Sequence, residues 1–166
     1  MKCLKLTNAK GCVKVDDETA EWAEEYRWHV HKGYAAFTRG SGGGAQRLYL
    51  HRILADAPKG EVIDHVNGDK LDNRRTNLRR ATVSQNGANV AKLSTNKSGL
   101  KGVVKHKDRF RAYIHKERKT FYLGTFGSAE EAACQYDTKA KEMFGKFARL
   151  NGLKCEVPKA KGKKKR

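Results

Sequence analysis

Asp64-His65-Val66-Asn67-Gly68-Asp69-Lys70-Leu71-Asp72-Asn73-Arg74-Arg75-Thr76-Asn77-Leu78-Arg79 is the stretch on which the reading of this chain turns. It places a carboxylate beside an imidazole, after an apolar run and ahead of the turn-forming Val66-Asn67-Gly68-Asp69. Asn77 follows twelve residues after His65, and Asn86 nine residues later. An imidazole with an intrinsic pKa near 6.5 exchanges protons at neutral pH. Aspartate and the amide oxygen of asparagine are hard ligands of the kind that suit magnesium. Taken singly, Asn67, Asp69, Asp72 and Asn73 are read as turn formers and caps, since short polar side chains bond their own backbone well. His51 is open to two readings, as a group lining the same site or as a satisfied half-buried histidine.

Outward from this stretch, the chain divides into parts of different composition. Val13-Lys14-Val15, Trp28-His29-Val30 and Tyr34-Ala35-Ala36-Phe37 read as strands. Asp16 to Tyr26, with Trp22, Ala23 and Tyr26 at helical spacing, reads as a short helix. Gly40-Ser41-Gly42-Gly43-Gly44 reads as a hairpin loop rather than a phosphate cradle, because no strand-to-helix unit surrounds it. Beyond a polar linker, Val103-Val104, Phe110 to Ile114 and Thr120 to Gly124 predict three strands. Ser128-Ala129-Glu130-Glu131 then opens a helix with a capping pattern, and Gly145 is its expected stop. The expected boundaries are 1–91, a linker at 92–97, a second domain at 98–152 and a basic disordered tail at 153–166. The fold class is α+β.

The formal net charge is +18, from 36 Lys plus Arg against 18 Asp plus Glu. That excess favours a polyanionic partner, because each phosphate neutralised releases condensed counterions. No run approaches the ~18–20 apolar residues that span a bilayer. The opening Met1-Lys2-Cys3-Leu4 lacks the apolar core of a signal peptide. The expectation is a soluble protein of the cytoplasm, without a membrane partner. The four cysteines (Cys3, Cys12, Cys134 and Cys155) form no C-x-x-C pair, which excludes a zinc knuckle or dithiol motif; they are read as reduced, packed thiols.

Leu50-His51-Arg52, Asp64-His65-x-Asn67-Gly68, Asn73-Arg74, Asn77-Leu78-Arg79 and Asn86 together resemble the HNH homing endonucleases of phages and introns. The resemblance implies a ββα-metal fold of two strands and a helix, which hydrolyses DNA phosphodiester bonds. It implies His65 as general base, Asp64 as a ligand of Mg²⁺ or Mn²⁺, and Asn86 as the second ligand. Asn77 would hold the loop that bears the histidine. The name-giving pattern ends in His where this chain has Asn86, so the chain is read as a His-Asn-Asn variant. Arg52, Arg74, Arg75, Arg79 and Arg80 are expected near phosphates, some of them only as solvated surface.

Ser98-Gly99-Leu100-Lys101-Gly102-Val103, Tyr122-Leu123-Gly124-Thr125-Phe126 and Ala132-Ala133-x-x-Tyr136-Asp137 resemble the ethylene-response-factor, or apetala-two type, DNA-binding domain. That family lays a three-stranded antiparallel sheet, packed on one helix, in the major groove. The groove-facing candidates are Lys101, Lys105, His106, Arg109, Arg111, Tyr113, His115, Lys119 and Tyr122. Lys101, Val104 and His106 stand where the plant domains commonly have Arg, so contacts to the DNA backbone are expected beside base readout. The expected partner is double-stranded DNA, bound by a monomer in the cytoplasm, the host's if the protein is phage-encoded. The competing reading is a non-catalytic DNA-binding regulator. An RNA-binding protein ranks below both, because no aromatic platform for single strands is recognisable.

Overall fold

The computed structural model describes residues 1–91 and 96–155. Residues 92–95 of the expected linker and 156–166 of the expected tail lie outside the described residues. The chain forms two units, Met1–Val90 and Ala91–Arg166.

The first unit opens with an antiparallel hairpin of β1 (Lys2–Lys5) and β2 (Cys12–Val15), followed by α1 (Asp17–Ala23). β3 (His29–His31), β4 (Tyr34–Arg39) and β5 (Gln46–Tyr49) make an antiparallel sheet in that order. The glycine run forms the turn between β4 and β5, as its composition predicts. Leu4, Val13, Val15, Ala20, Ala23, Trp28, Phe37 and Leu50 close one apolar core. Trp28 satisfies its buried indole by donating Nε1–H to the Ala23 carbonyl at 2.8 Å.

β5 ends at Tyr49 and α2 (Leu50–Leu54) begins at the next residue. The cysteines depart from the sequence reading: they are not four separate thiols. Cys3 is bonded to Cys12 across the β1–β2 hairpin, and Cys134 to Cys155. Spacing along the chain does not show which strands bring two cysteines face to face.

β6 (Val62–His65) and β7 (Leu78–Ala81) pair antiparallel, and α3 (Val83–Asn89) packs back on them. A capping box starts α3: Thr82 Oγ1 accepts from the Gln85 amide at 3.1 Å, and Gln85 Oε1 from the Thr82 amide at 2.8 Å. This fixes the phase of the helix, and so which residues meet β6.

In the second unit β8 (Val103–His106), β9 (Arg109–Lys116) and β10 (Lys119–Phe126) form an antiparallel sheet, with β9 in the middle. α4 (Ala129–Phe144) packs across one face and ends at Gly145, whose φ is +52°. Ala132, Ala133, Tyr136, Ala140 and Phe144 turn inward. Gly102 is required here: its φ is +75°, and a Cβ would lie 2.0 Å from a ring carbon of Tyr136. Leu153 packs against this core, so the chain stays attached past the expected start of the tail. Among the described residues no helix is long and apolar enough to cross a membrane.

Candidate nuclease site

The β6–β7 register sets Asp64 opposite Arg79 and His65 opposite Leu78. Asp64 is 3% exposed. A buried carboxylate needs a counter-charge and hydrogen bonds. Arg79 supplies the charge from across the ladder: its Nε donates to Asp64 Oδ2 at 2.8 Å and a terminal amino group lies 2.6 Å from the same oxygen. Asn89, at the end of α3, donates Nδ2–H to the other oxygen, Oδ1, at 2.9 Å. Sequence reasoning passed over Asn89. The available signal was its position three residues beyond Asn86, on the same helical face. Asn86 is half-buried and lines a groove with Tyr34, Tyr49, His51 and Val62.

His65 ends β6, and the chain then turns through residues 66–73. Asn77 spans that turn. Its Oδ1 accepts from the Asn67 amide at 3.0 Å, and its Nδ2 donates to the Asp72 carbonyl at 2.8 Å and to Asn67 Oδ1 at 3.0 Å. Asn67 and Asp69 act as turn formers, accepting from the amides of Asp69 and Leu71. Asp72 is buried, and the Arg74 guanidinium bonded to it holds its carboxyl below the usual aspartate value. Asn73 bonds through its backbone to Lys14 of β2, which anchors the turn to the first core.

His51 and His65 meet edge to face with ring centroids 5.3 Å apart, and Tyr34 lies 4.8 Å from the first and 5.9 Å from the second. Burial pushes His51 down to about 4, and burial likewise lowers His65, against the opposing pull of Asn73 and Asp64. Both rings are therefore neutral at physiological pH. His65 Nε2 and His51 Nδ1 are buried without a hydrogen-bond partner among the described residues. His51 lies directly beside the candidate base.

The arginines divide in a way the sequence did not show. Arg52 donates to the carbonyls of Ala57, Pro58 and Glu61, closing the turn that follows α2. Arg75 and Arg80 reach the carbonyls of Leu54, Ala55 and Asp56. A helix C-terminus leaves such carbonyls without intrahelical donors, so these cations have structural work there. Arg74 is held by Asp72 and Arg79 by Asp64.

Among the described residues no three His, Cys, Asp or Glu side chains group as a metal site. The expected pair of one aspartate and one asparagine is a different donor set. Its chemistry suits a hard cation: Asp64 Oδ1 accepts one hydrogen bond, from Asn89, and a carboxylate oxygen offers two acceptor positions. His65, the next residue, has its Nε2 buried without a partner among the described residues.

In the second unit, cross-strand partners share a face. His106, Arg109, Arg111, Tyr113, His115 and Tyr122 leave from the face opposite α4. Tyr113 and Tyr122 pair there with centroids 5.5 Å apart. Lys105 pairs with Phe110 and Lys119 with Lys116, whose ammonium lies over the Phe144 ring of α4; both therefore project from the helix side. Lys101 is held elsewhere, with its backbone bonded to Asn151 and its amine lowered to about 8 by burial.

The neutral histidines make stability depend on pH. An unfolded His51 takes up a proton near 6.5, whereas the folded one stays neutral down to about 4. Stability therefore falls as pH drops from about 6.5 towards 4, by up to about 3 kcal/mol at about 1.4 kcal/mol per unit. Urea denaturation across that range should show the decline, and a His51→Asn variant should flatten it. Equal slopes in both proteins would refute the assignment.

Comparison with known proteins bears on the same residues. The HNH endonuclease family matches residues 49–88, which run from the end of β5 to α3. The chain is 31% identical over 135 residues to an uncharacterized HNH endonuclease of Acanthamoeba polyphaga mimivirus, covering 78% of this chain and 68% of that protein. It is 36% identical over 95 residues to Protein 3.8 of Escherichia phage T7, covering 56% of this chain and 78% of that protein. A second uncharacterized HNH endonuclease of the mimivirus is 43% identical over 49 residues, 25% of this chain and 12% of its own length. With its matched segment forming the strand pair and helix around Asp64 and His65, the chain belongs to the HNH endonuclease family and is a nuclease.

Proposed function

We propose that the chain hydrolyses DNA phosphodiester bonds at the Asp64–His65 site, with a ββα-metal arrangement formed by β6, β7 and α3. The observation that carries this reading is the buried His65 Nε2, without a partner among the described residues, adjoining in sequence a carboxylate that α3 clamps in place. His65, neutral and held by a braced turn, takes the proton of the attacking water as general base. Asp64 and Asn86 would hold Mg²⁺ or Mn²⁺, which when bound offsets charge on the phosphate and the leaving oxygen. Asn77 keeps the His65 turn closed, through bonds to both of its limbs. Arg79 balances the Asp64 charge.

The second unit directs the nuclease to duplex DNA in this reading, in the manner of the apetala-two type domain. The open sheet face supports it, since Arg109 and Arg111 alternate out of β9 beside the Tyr113–Tyr122 pair. Arginine grips guanine or phosphate in bidentate fashion. A short connection between the units makes the second contact intramolecular and strengthens the whole. We place the protein in the cytoplasm of its host cell as a monomeric phage-type homing enzyme. One site per chain then gives a nick rather than a double-strand cut.

Two measurements check this. Plasmid carrying DNA from the protein's own genomic neighbourhood should be nicked in Mg²⁺ and spared in EDTA. His65→Ala, Asp64→Ala and Asn86→Ala should each lower kcat by about 100-fold or more while DNA binding persists. Binding without cleavage in any divalent metal would favour the regulator instead. For the second unit, Arg109→Ala with Arg111→Ala should weaken duplex binding and shrink the salt dependence of log K by about 2, one for each phosphate no longer neutralised. An unchanged salt slope would remove the sheet face from the interface.

A further inference from the structure

Asn89 has no part in the reaction as proposed, yet its amide reaches three successive residues of the site. The side chain is 7% exposed. Its Nδ2 donates to Asp64 Oδ1 at 2.9 Å, to the His65 carbonyl at 2.7 Å and, at a longer 3.3 Å, to the Val66 carbonyl. Two amide protons thus serve the metal-ligand candidate, the backbone of the base and the first residue of its turn. Helix docking alone does not call for this. Ala88, beside it, is buried with no polar side chain, and Arg79 already supplies a counter-charge to Asp64.

The geometry points to Asn89 as a positioning residue that sets the Asp64 carboxylate and the His65 backbone relative to Asn86. This rests on the reading that Asp64 and Asn86 hold a divalent cation. Asn86 and Asn89 are separated by less than one helical turn on α3, so a bond from Asn89 to β6 fixes how Asn86 stands over the strand. Arg79 grips Oδ2 and Asn89 grips Oδ1, so the carboxylate cannot rotate about its own axis. The residue type matters. A carboxylate at position 89 would repel Asp64, and an ammonium would compete with the ion for it. An amide orients Oδ1 without neutralising it. Groups that orient a metal ligand in this way carry about 10–100-fold in metal affinity.

The test is Mn²⁺ binding to the full chain without DNA, by isothermal titration calorimetry, for the wild type, Asp64→Ala, Asn89→Leu and Asn89→Ser. Leucine keeps the volume and removes the donor; serine is a smaller change whose hydroxyl does not reach Asp64. Circular dichroism establishes that each variant is folded. Asp64→Ala should abolish binding. Each folded Asn89 variant should bind Mn²⁺ about 10–100-fold more weakly, and lower kcat at saturating metal while KM for DNA stays within about two-fold. Wild-type Mn²⁺ affinity in a folded Asn89 variant, with Asp64→Ala inactive in binding, would overturn this inference and leave the nuclease reading standing. Unchanged binding in Asp64→Ala would overturn the metal assignment itself, and this inference with it.

Discussion

A carboxylate that folding removes from water must be compensated, and the region around Asp64 is organised by that requirement. Its two oxygens are met by different elements, Arg79 from β7 and Asn89 from α3. The strand pairing that brings Arg79 opposite Asp64 also sets His65 at the strand end, where the turn begins. The bond to Asn89 brings the helix that carries Asn86 onto the same strand. One buried charge thus ties together a strand register, a helix docking and the placement of three candidate site residues. A random polar surface has no reason to converge in this way.

The rest of the first unit serves this arrangement. The turn after His65 is closed internally by Asn77 and externally by two backbone bonds with Lys14 of β2, whose amide donates to the Leu71 carbonyl and whose carbonyl accepts from the Asn73 amide. The tyrosine and histidine rings packed beside His65 help to bury it, and burial lowers its pKa. Rigid support of this kind is what a base needs, because a displaced or already protonated imidazole cannot accept the proton of a water. Much of the arginine near the site is spent on carbonyls after α2. The large positive charge of the chain is therefore not a direct measure of its phosphate contacts.

What was legible in the sequence followed from local signals. The capping serine of α4 and its glycine stop are chemical marks that survive into the structure, with Ser128 accepting from the Glu131 amide at 3.1 Å. The alternation along β9 placed Arg109, Arg111 and Tyr113 on one face for the same reason. The adjacent Asp64 and His65, with Asn77 and Asn86 at their spacing, marked the site from residue types alone. What stayed hidden depended on the tertiary fold. Asn89 is an unremarked polar residue until α3 turns back onto β6. Arg52 looks like a phosphate ligand until the turn at 57–61 brings its carbonyls within reach. Lys105 and Lys119 look like their neighbours until pairing with Phe110 and Lys116 assigns them to the helix side. The apolar run at 47–54 conceals a strand-to-helix switch, because periodicity cannot separate two short elements in so few residues.

The central claim is that Asp64 and Asn86 are the ligands of one divalent cation beside His65. Crystals of the protein soaked in Mn²⁺, measured at the manganese absorption edge, test it most directly. The expected result is an anomalous peak within coordination distance of Asp64 Oδ1 and the Asn86 amide oxygen, with His65 next to it. A peak bound elsewhere, with none between these two residues, would contradict it.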